Sequence, residues 1–417
     1  SGYTGRLVSR YLSAHPQRAQ FTFAIGARSP QRLENIAKEL DLQDDVELYQ
    51  IDVTDFESVE RAVFDAKVVI NTVGPYWKWG TNVVRACAKH GKGYVDLTAE
   101  PHWVRQMIYK YDYLATKTGA IIVPACGMDS IPSDISVYLG NKTLKSLVGP
   151  DADIDHTISA FELHGGLSGG TLSSLLTALE EVPKPELQLA LEDYSLTIQG
   201  PHNYPSQYVY KLPACDPPLY GSFFVMQPSN KPIVQRTWAL HQLGGPKQHH
   251  LTYGPHFKYQ ECMRTPNAIT AFAVSVFIKS LGLLLLVPPI RWALRRILPP
   301  GAGPAEQDLD KGRMEITSIT TSISDTSGKK TYIRSIQRGY GDPGYQLTTI
   351  ALTEAALAIL LEKDRLPALA HQGGILTPMS ALGEVLIRRL NDTGKFEFQS
   401  EAVLSGGDVD TESRKSR

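Results

Sequence analysis

The first 125 residues switch repeatedly between two periodicities, and that switching is what most limits the fold. Short apolar runs (FTFAIGA at 21–27, VELYQI at 46–51, VVINTV at 68–73, YVDL at 94–97, AIIVPA at 120–125) alternate with segments of helical spacing at 5–14, 30–40, 55–64, 81–89 and 101–118. Strand and helix taking turns at this pace predict βαβ units and a parallel sheet. Near-continuous apolar strands fit a sheet covered on both faces. The expected class is α/β, a Rossmann-type doubly wound parallel sheet. Pro30 suits a first helical turn, and Thr54 is the expected N-cap of 55–64. The sequence opens on Ser1-Gly2-Tyr3-Thr4-Gly5, a turn with no strand ahead of it. The first strand of such a sheet is therefore expected to be missing, and the chain reads as N-terminally truncated.

After residue 150 the pattern changes. A long strand is expected at 153–163, then the cluster Gly165, Gly166, Gly169 and Gly170, then a helix at 171–181. The stretch 183–266 is rich in Pro, Tyr and His and has no clean period. Strands of an antiparallel sheet are expected at 313–324 and 330–338, and helices at 344–362 and 377–390. This divides the chain into a dinucleotide-binding domain at 1–148 and a second α+β domain at 149–340. C-terminal helices at 341–400 and a disordered tail at 401–417 follow.

Charge and cysteine content exclude several classes. Lys plus Arg is 42 against 43 Asp plus Glu, which gives no broad basic face for nucleic acid. Cys87, Cys126, Cys215 and Cys262 form no CxxC pair, so neither a disulfide scaffold nor a cysteine-based metal site is expected. A reduced, intracellular setting fits. Within Ala268–Val287 the single charge is Lys279, and the run is 20 residues, about one membrane thickness of helix. Pro288-Pro289 would break a straight span, and Arg291, Trp292, Arg295 and Arg296 follow, as suits a membrane interface. A shallow hairpin over 268–298 at a membrane or lipid-droplet surface is expected. The other reading is a buried or homodimer-interface helix.

Gly2, Tyr3, Thr4 and Gly5 form the candidate phosphate turn. Gly2 would let the backbone approach a pyrophosphate, and Gly5 would let the helix lie close to the sheet. Arg28, beside Ser29, stands where an NAD-selective site usually places an acid. A guanidinium there can grip a 2′-phosphate, which favours NADP(H) over NAD(H). Asp52 and Val53 follow the next strand, and Thr72, Val73, Gly74 and Pro75 the one after, at the carboxyl ends where ligands bind. Tyr76, Asp96 and Glu100 are the candidate proton donors, with packing or capping as the other reading. Asp129 and Ser130 could bind substrate or cap the helix near Ile131, and capping is the expected role.

The ordered set SGYTG, GARS, NTVGPY, YVDLTAE and CGMDSIPSD, with GDPGY at 341–345 and GGILTP at 373–378, resembles the saccharopine dehydrogenase-like oxidoreductase family, which includes bacterial trans-acting enoyl reductases. The resemblance implies a Rossmann domain, a second domain and a C-terminal part that packs back on the first. It also suggests a lipid-linked unsaturated acyl substrate. The resulting expectation is an NADP(H)-dependent oxidoreductase working at a membrane or lipid-droplet surface (endoplasmic reticulum and mitochondrial membranes being the other candidates). The alternative is a membrane protein that binds a nucleotide without chemistry.

Overall fold

The computed structural model describes residues 2–42, 45–165, 169–197, 200, 205–297 and 306–403. The alternating region forms parallel strands β1 (Ala24–Ala27), β2 (Glu47–Gln50), β3 (Val68–Asn71), β4 (Gly93–Asp96) and β5 (Ile121–Val123). β1 pairs only with β2, while β3, β4 and β5 pair in that order. Among the described residues no strand bridges β1 and β3, so the sheet is in two halves with facing edges unpaired.

The helices between these strands are α1 (Tyr3–Ser13), α2 (Pro30–Glu39), α3 (Phe56–Asp65), α4 (Tyr76–Trp79), α5 (Thr81–His90), α6 (Pro101–Thr118) and α7 (Ile131–Val148). The cap of α3 differs from expectation. Asp55 is the N-cap and accepts from Glu57 N at 3.1 Å, while Thr54 donates its own N–H and hydroxyl to Asp52 at 2.9 and 2.7 Å. Two cap formers stood side by side, and Asp52 captured the first. The α7 start also differs. Ser130 is the N-cap but makes no side-chain cap bond; its hydroxyl donates to Asn230 Oδ1 at 3.3 Å instead.

The second sheet joins β6 (Ile154–His164), β7 (Tyr210–Lys211), β8 (Tyr220–Phe223), β9 (Lys258–Thr265), β10 (Arg313–Ser322), β11 (Tyr332–Tyr340) and β13 (Phe396–Ala402). Its order is β13-β11-β10-β6-β9-β8-β7, antiparallel except for β6 with β9. The intervening helices are α8 (Gly169–Glu181), α9 (Lys184–Leu191), α10 (Gln227–Gln242), α11 (Ala268–Leu284) and α12 (Pro288–Ile297). The unreadable stretch 183–266 thus holds real elements. Its strands β7 and β8 are short, and α10 buries residues on all sides, Ile233, Gln235, Thr237 and Trp238 among them, so no stripe marks it.

The C-terminal part is α13 (Thr348–Leu361), α14 (Ala368–Gln372), β12 (Gly374–Ile375), α15 (Pro378–Ala381) and α16 (Gly383–Asp392). A wider π turn at Pro343–Leu347 opens α13, and Gly383 at φ +48 splits the expected helix 377–390. β12 pairs with β5 as an outer strand of the first sheet. Leu352, Ala355 and Ile359 of α13 share a core with Val8 and Leu12 of α1 and with Val95 and Ile121 of the sheet. The opposite face of β4 and β5 buries Tyr94 and Ile122 against Val84, Cys87 and Trp103. Both faces are covered, as a parallel sheet requires. Residues 401–402, expected in the tail, continue β13, and 404–417 lie outside the described residues.

α11 and α12 meet at a bend of 102°. Ile269, Phe272, Phe277, Leu283 and Trp292 on them and Leu286 between them are exposed, Ile269 at 83%. The other segment of comparable length and apolarity, Pro343–Leu361, is 78% buried and belongs to the core.

Candidate functional site

The gap between the half-sheets opens into a cavity of about 2000 Å³. Small-molecule sites are about 300–1,000 Å³, so this space exceeds one ligand. Val8, Leu12, Phe21, Ile25, Val68, Ile70 and Leu357 give it an apolar wall. Its lining also contains Gly2, Gly5, Arg28, Ser29, Asp52, Val53, Thr72, Val73 and Gly74. Tyr3, Thr4 and Pro75 do not line it. The Tyr3 ring instead meets Tyr345 edge to face at 4.8 Å.

The glycine turn fits a phosphate. Gly2 is the N-cap of α1, without a side-chain cap bond and without an acid in the first turn. The N–H groups of a helix start and its positive end favour an anion there. A Cβ built on Gly2 would meet nothing within 4 Å, so the backbone borders open space. At Gly5 a Cβ would come to 3.2 Å from Thr72 Oγ1, because α1 lies close on the loop after β3. Arg28, just past β1, is exposed, and no acid occupies its position. Ser29 caps α2, its hydroxyl accepting from Arg32 N at 3.4 Å. Bonds from Thr54, assisted by the Arg28 charge, hold the Asp52 carboxyl below its usual range. These residues would hold a dinucleotide with its 2′-phosphate at Arg28; the bound nicotinamide supplies the hydride.

Asp96 sits at the end of β4 and is fully buried. Its Oδ1 accepts from Thr98 N at 3.0 Å and Ala125 N at 2.9 Å, and its Oδ2 from Tyr94 OH at 2.7 Å. Burial nonetheless pushes it up to about 7. Glu100 accepts from Tyr76 N at 2.9 Å, Trp77 N at 2.8 Å and the Ser174 hydroxyl at 2.8 Å. Tyr76 is 4% exposed and donates its hydroxyl to Asn71 O at 2.9 Å. All three candidate proton donors therefore have their polar atoms committed inside the protein. Asp96 ties the loop after β4 to that after β5, and Glu100 ties the Gly74-Pro75 turn to α8. Sequence reasoning could not anticipate the Ser174 contact, since the two residues stand 74 apart in the chain.

Comparison with known proteins supports the same reading. Residues 1–123 match the saccharopine dehydrogenase NADP-binding domain. A Mycobacterium tuberculosis protein bearing the trans-acting enoyl reductase name is 33% identical over 418 residues, covering 94% of each chain. The chain belongs to the saccharopine dehydrogenase-like oxidoreductase family. The trans-acting enoyl reductase of Mycobacterium ulcerans is 31% identical over 416 residues, again with 94% of each chain covered. Saccharopine dehydrogenase (L-Glu forming) of Saccharomyces cerevisiae superposes with a TM-score of 0.53 at 11% identity, covering 96% of this chain and 98% of that one. That last likeness establishes a shared fold. This saccharopine dehydrogenase-like chain is an oxidoreductase with an NADP-binding domain.

Among the described residues no group of His, Cys, Asp and Glu is arranged to hold a metal.

Proposed function

We propose that this oxidoreductase uses NADPH in preference to NADH to reduce a double bond in a lipid-linked acyl substrate at a membrane or lipid-droplet surface. The observation that carries the cofactor preference is Arg28, exposed at the end of β1 on the wall of the cavity where an NAD site would present a carboxylate. The reduction of an enoyl group rests on the likeness to enoyl reductases along 94% of the chain.

The surface reading rests on the bent pair α11 and α12. Segment 268–298 carries Lys279, Arg291, Arg295 and Arg296 and no acid, and among its described residues Ile269, Phe272, Phe277, Leu283, Leu286 and Trp292 are large, apolar and exposed. Exposed patches of that kind mark interaction sites, while Arg291 is turned inward and paired with Glu180 of α8 at 3.3 Å. The protein's own residues bind the pyrophosphate at Gly2, fix the 2′-phosphate at Arg28 and keep the Gly74 turn rigid through Glu100.

The test is oxidation of NADPH, followed at 340 nm, with trans-2-decenoyl thioester in the presence and absence of phosphatidylserine vesicles. The reading expects turnover with NADPH, slower turnover with NADH and co-sedimentation with vesicles. Binding of NADPH with no turnover of any enoyl thioester would contradict the substrate assignment.

A further inference from the structure

A ribose 2′-phosphate is a phosphate monoester and carries about −1.5 to −2 charges at pH 7. Arg28 brings one positive charge to it, and Asp52, close enough to feel that guanidinium, offsets it. Arg28 alone therefore leaves the phosphate without a net balancing charge, and a second cation is required.

Among the described residues that line the cavity the cations are Arg18, Arg28, Arg32 and Lys67. They divide between its two ends. Arg18 precedes β1 and Lys67 precedes β3, so both stand at the amino ends of the strands, together with the acids Asp45, Glu47 and Asp65. Arg18 is paired there with Asp45 at 2.5 Å. Arg28 follows β1, and Arg32 lies four residues on in the first turn of α2. Both stand at the carboxyl ends, where ligands of this fold bind. Both are exposed, and among the described residues neither guanidinium is held by an acid or a carbonyl. The acid at this end, Asp52, accepts from Thr54 N at 2.9 Å and from the Thr54 hydroxyl at 2.7 Å, so its carboxylate is engaged within its own loop.

The backbone at the start of α2 offers few donors. Pro30, at the first helical position, has no N–H, and Arg32 N donates to Ser29 Oγ at 3.4 Å. Side chains have to hold a phosphate here. The Ser29 hydroxyl, an acceptor in that bond, keeps its own hydrogen to give. The first turn of α2 contains no acid, and the positive end of the helix adds to the field.

We propose that Arg32 is the second guanidinium of the 2′-phosphate site and that, with Arg28, it sets the preference for NADPH over NADH. The assignment rests on the NADP(H) reading of the cavity. Arg28 stands just before the Ser29 cap and Arg32 just after it, and each planar fork can give two N–H bonds to phosphate oxygens. With Arg32 the side chains at this end carry a net positive charge; without it they carry none. NADH has an uncharged hydroxyl at the same position, so Arg32 contributes to the binding of NADPH alone.

The test is calorimetric titration of NADPH and NADH into the whole protein, Arg32→Gln, Arg28→Ala and the double variant. Arg32 is exposed, and Gln has a similar helix propensity, so Arg32→Gln should melt within about 1 °C of the parent. It should bind NADPH at least ~10-fold more weakly, the worth of one charge-assisted contact, and NADH within about twofold of the parent. The double variant should bind the two cofactors equally. In the parent, NADPH affinity should fall as NaCl rises from about 50 to about 300 mM, and it should fall less steeply in Arg32→Gln. An Arg32→Gln variant that keeps NADPH affinity within about twofold while Arg28→Ala loses it, or one that loses NADPH and NADH alike, overturns the assignment and leaves the NADP(H) reading intact. A parent that binds both cofactors equally, or neither, overturns instead the reading on which it rests.

Discussion

Replacing Glu354 by Gln should unfasten the helix that carries the glycine turn. Glu354 of α13 has a 3% exposed side chain. Its Oε1 accepts from Tyr11 OH at 2.7 Å and lies 2.9 Å from His15 Nε2; its Oε2 accepts from Arg389 Nε at 2.7 Å. Arg389, 5% exposed, also donates to Glu362 Oε1 at 2.8 Å and to Gln17 Oε1 at 2.9 Å. One buried node thus joins α1, α13 and α16. Burial opposes the charge on Glu354, yet His15, Arg389 and Tyr11 together hold its carboxyl below the usual range. A depressed carboxyl stabilises above its unfolded pKa and loses that contribution only as pH falls through the folded value. The node is therefore at full strength at neutral pH.

In Glu354→Gln an amide N–H₂ must face either Tyr11 and His15 or Arg389, and Arg389 loses its more buried carboxylate while keeping that of Glu362 at 2.8 Å. Breaking one partner of such a pair costs about 3–5 kcal/mol. At about 2.1 cal/mol/K per residue, 417 residues unfold with an entropy near 0.9 kcal/mol/K, so the midpoint should fall by roughly 3–6 °C. Scanning calorimetry at pH 7 measures it. The double change Glu354→Gln with Arg389→Met should recover part of the loss, since no buried guanidinium is then left facing the amide. A midpoint within 1 °C of the parent, or strictly additive losses in the double variant, would refute this account of the node.

Gly2→Val should leave the melting midpoint unchanged, because Gly2 has φ −85 and open space at its Cβ, yet weaken NADPH binding at least ~10-fold by filling the phosphate position; calorimetry on the parent and the variant checks it. Phe277→Ser and Leu283→Ser, at 68% and 67% exposed side chains, should each reduce sedimentation with phosphatidylserine vesicles by roughly tenfold and spare cofactor affinity. Asp96 and Glu261 are raised to about 7 by burial, so the folded chain holds more protons than the unfolded one, and stability from these groups is lost as pH rises from about 4 through 7. Glu261→Gln should flatten that part of a melting-temperature profile, and an unchanged slope would count against it. Amides on the β1 and β3 edges that face the gap should exchange with solvent faster than those of β4, which is paired on both sides.

The first sheet was legible because local rules act there without competition. Apolar runs bounded by glycine, proline and cap residues gave strands and helices within a few residues of their observed ends, and GARS placed Arg28 on the cavity. Two kinds of feature were hidden. One is the choice between adjacent cap formers: Thr54 and Asp55 are equally good on paper, and the side chain of Asp52 decided between them. The other is the long-range polar contact. Asp96 in YVDLTAE looks like a general acid until Ala125 N, 29 residues on, is seen bound to it. Likewise nothing in the local sequence of His15 announces Glu354, 339 residues away. α10 was invisible for a third reason. A helix buried on all sides, with Pro232 inside it, has no periodic stripe.

The most direct test of the central claim is calorimetric titration of NADPH and NADH into the parent chain and into Arg28→Ala. The account predicts tighter binding of NADPH in the parent. It also predicts a loss of roughly 10–100-fold for NADPH in the variant, the worth of a charge-assisted bond to phosphate, and an unchanged affinity for NADH. Equal affinities for the two cofactors in the parent, or an Arg28→Ala variant that binds NADPH as tightly as before, would contradict it.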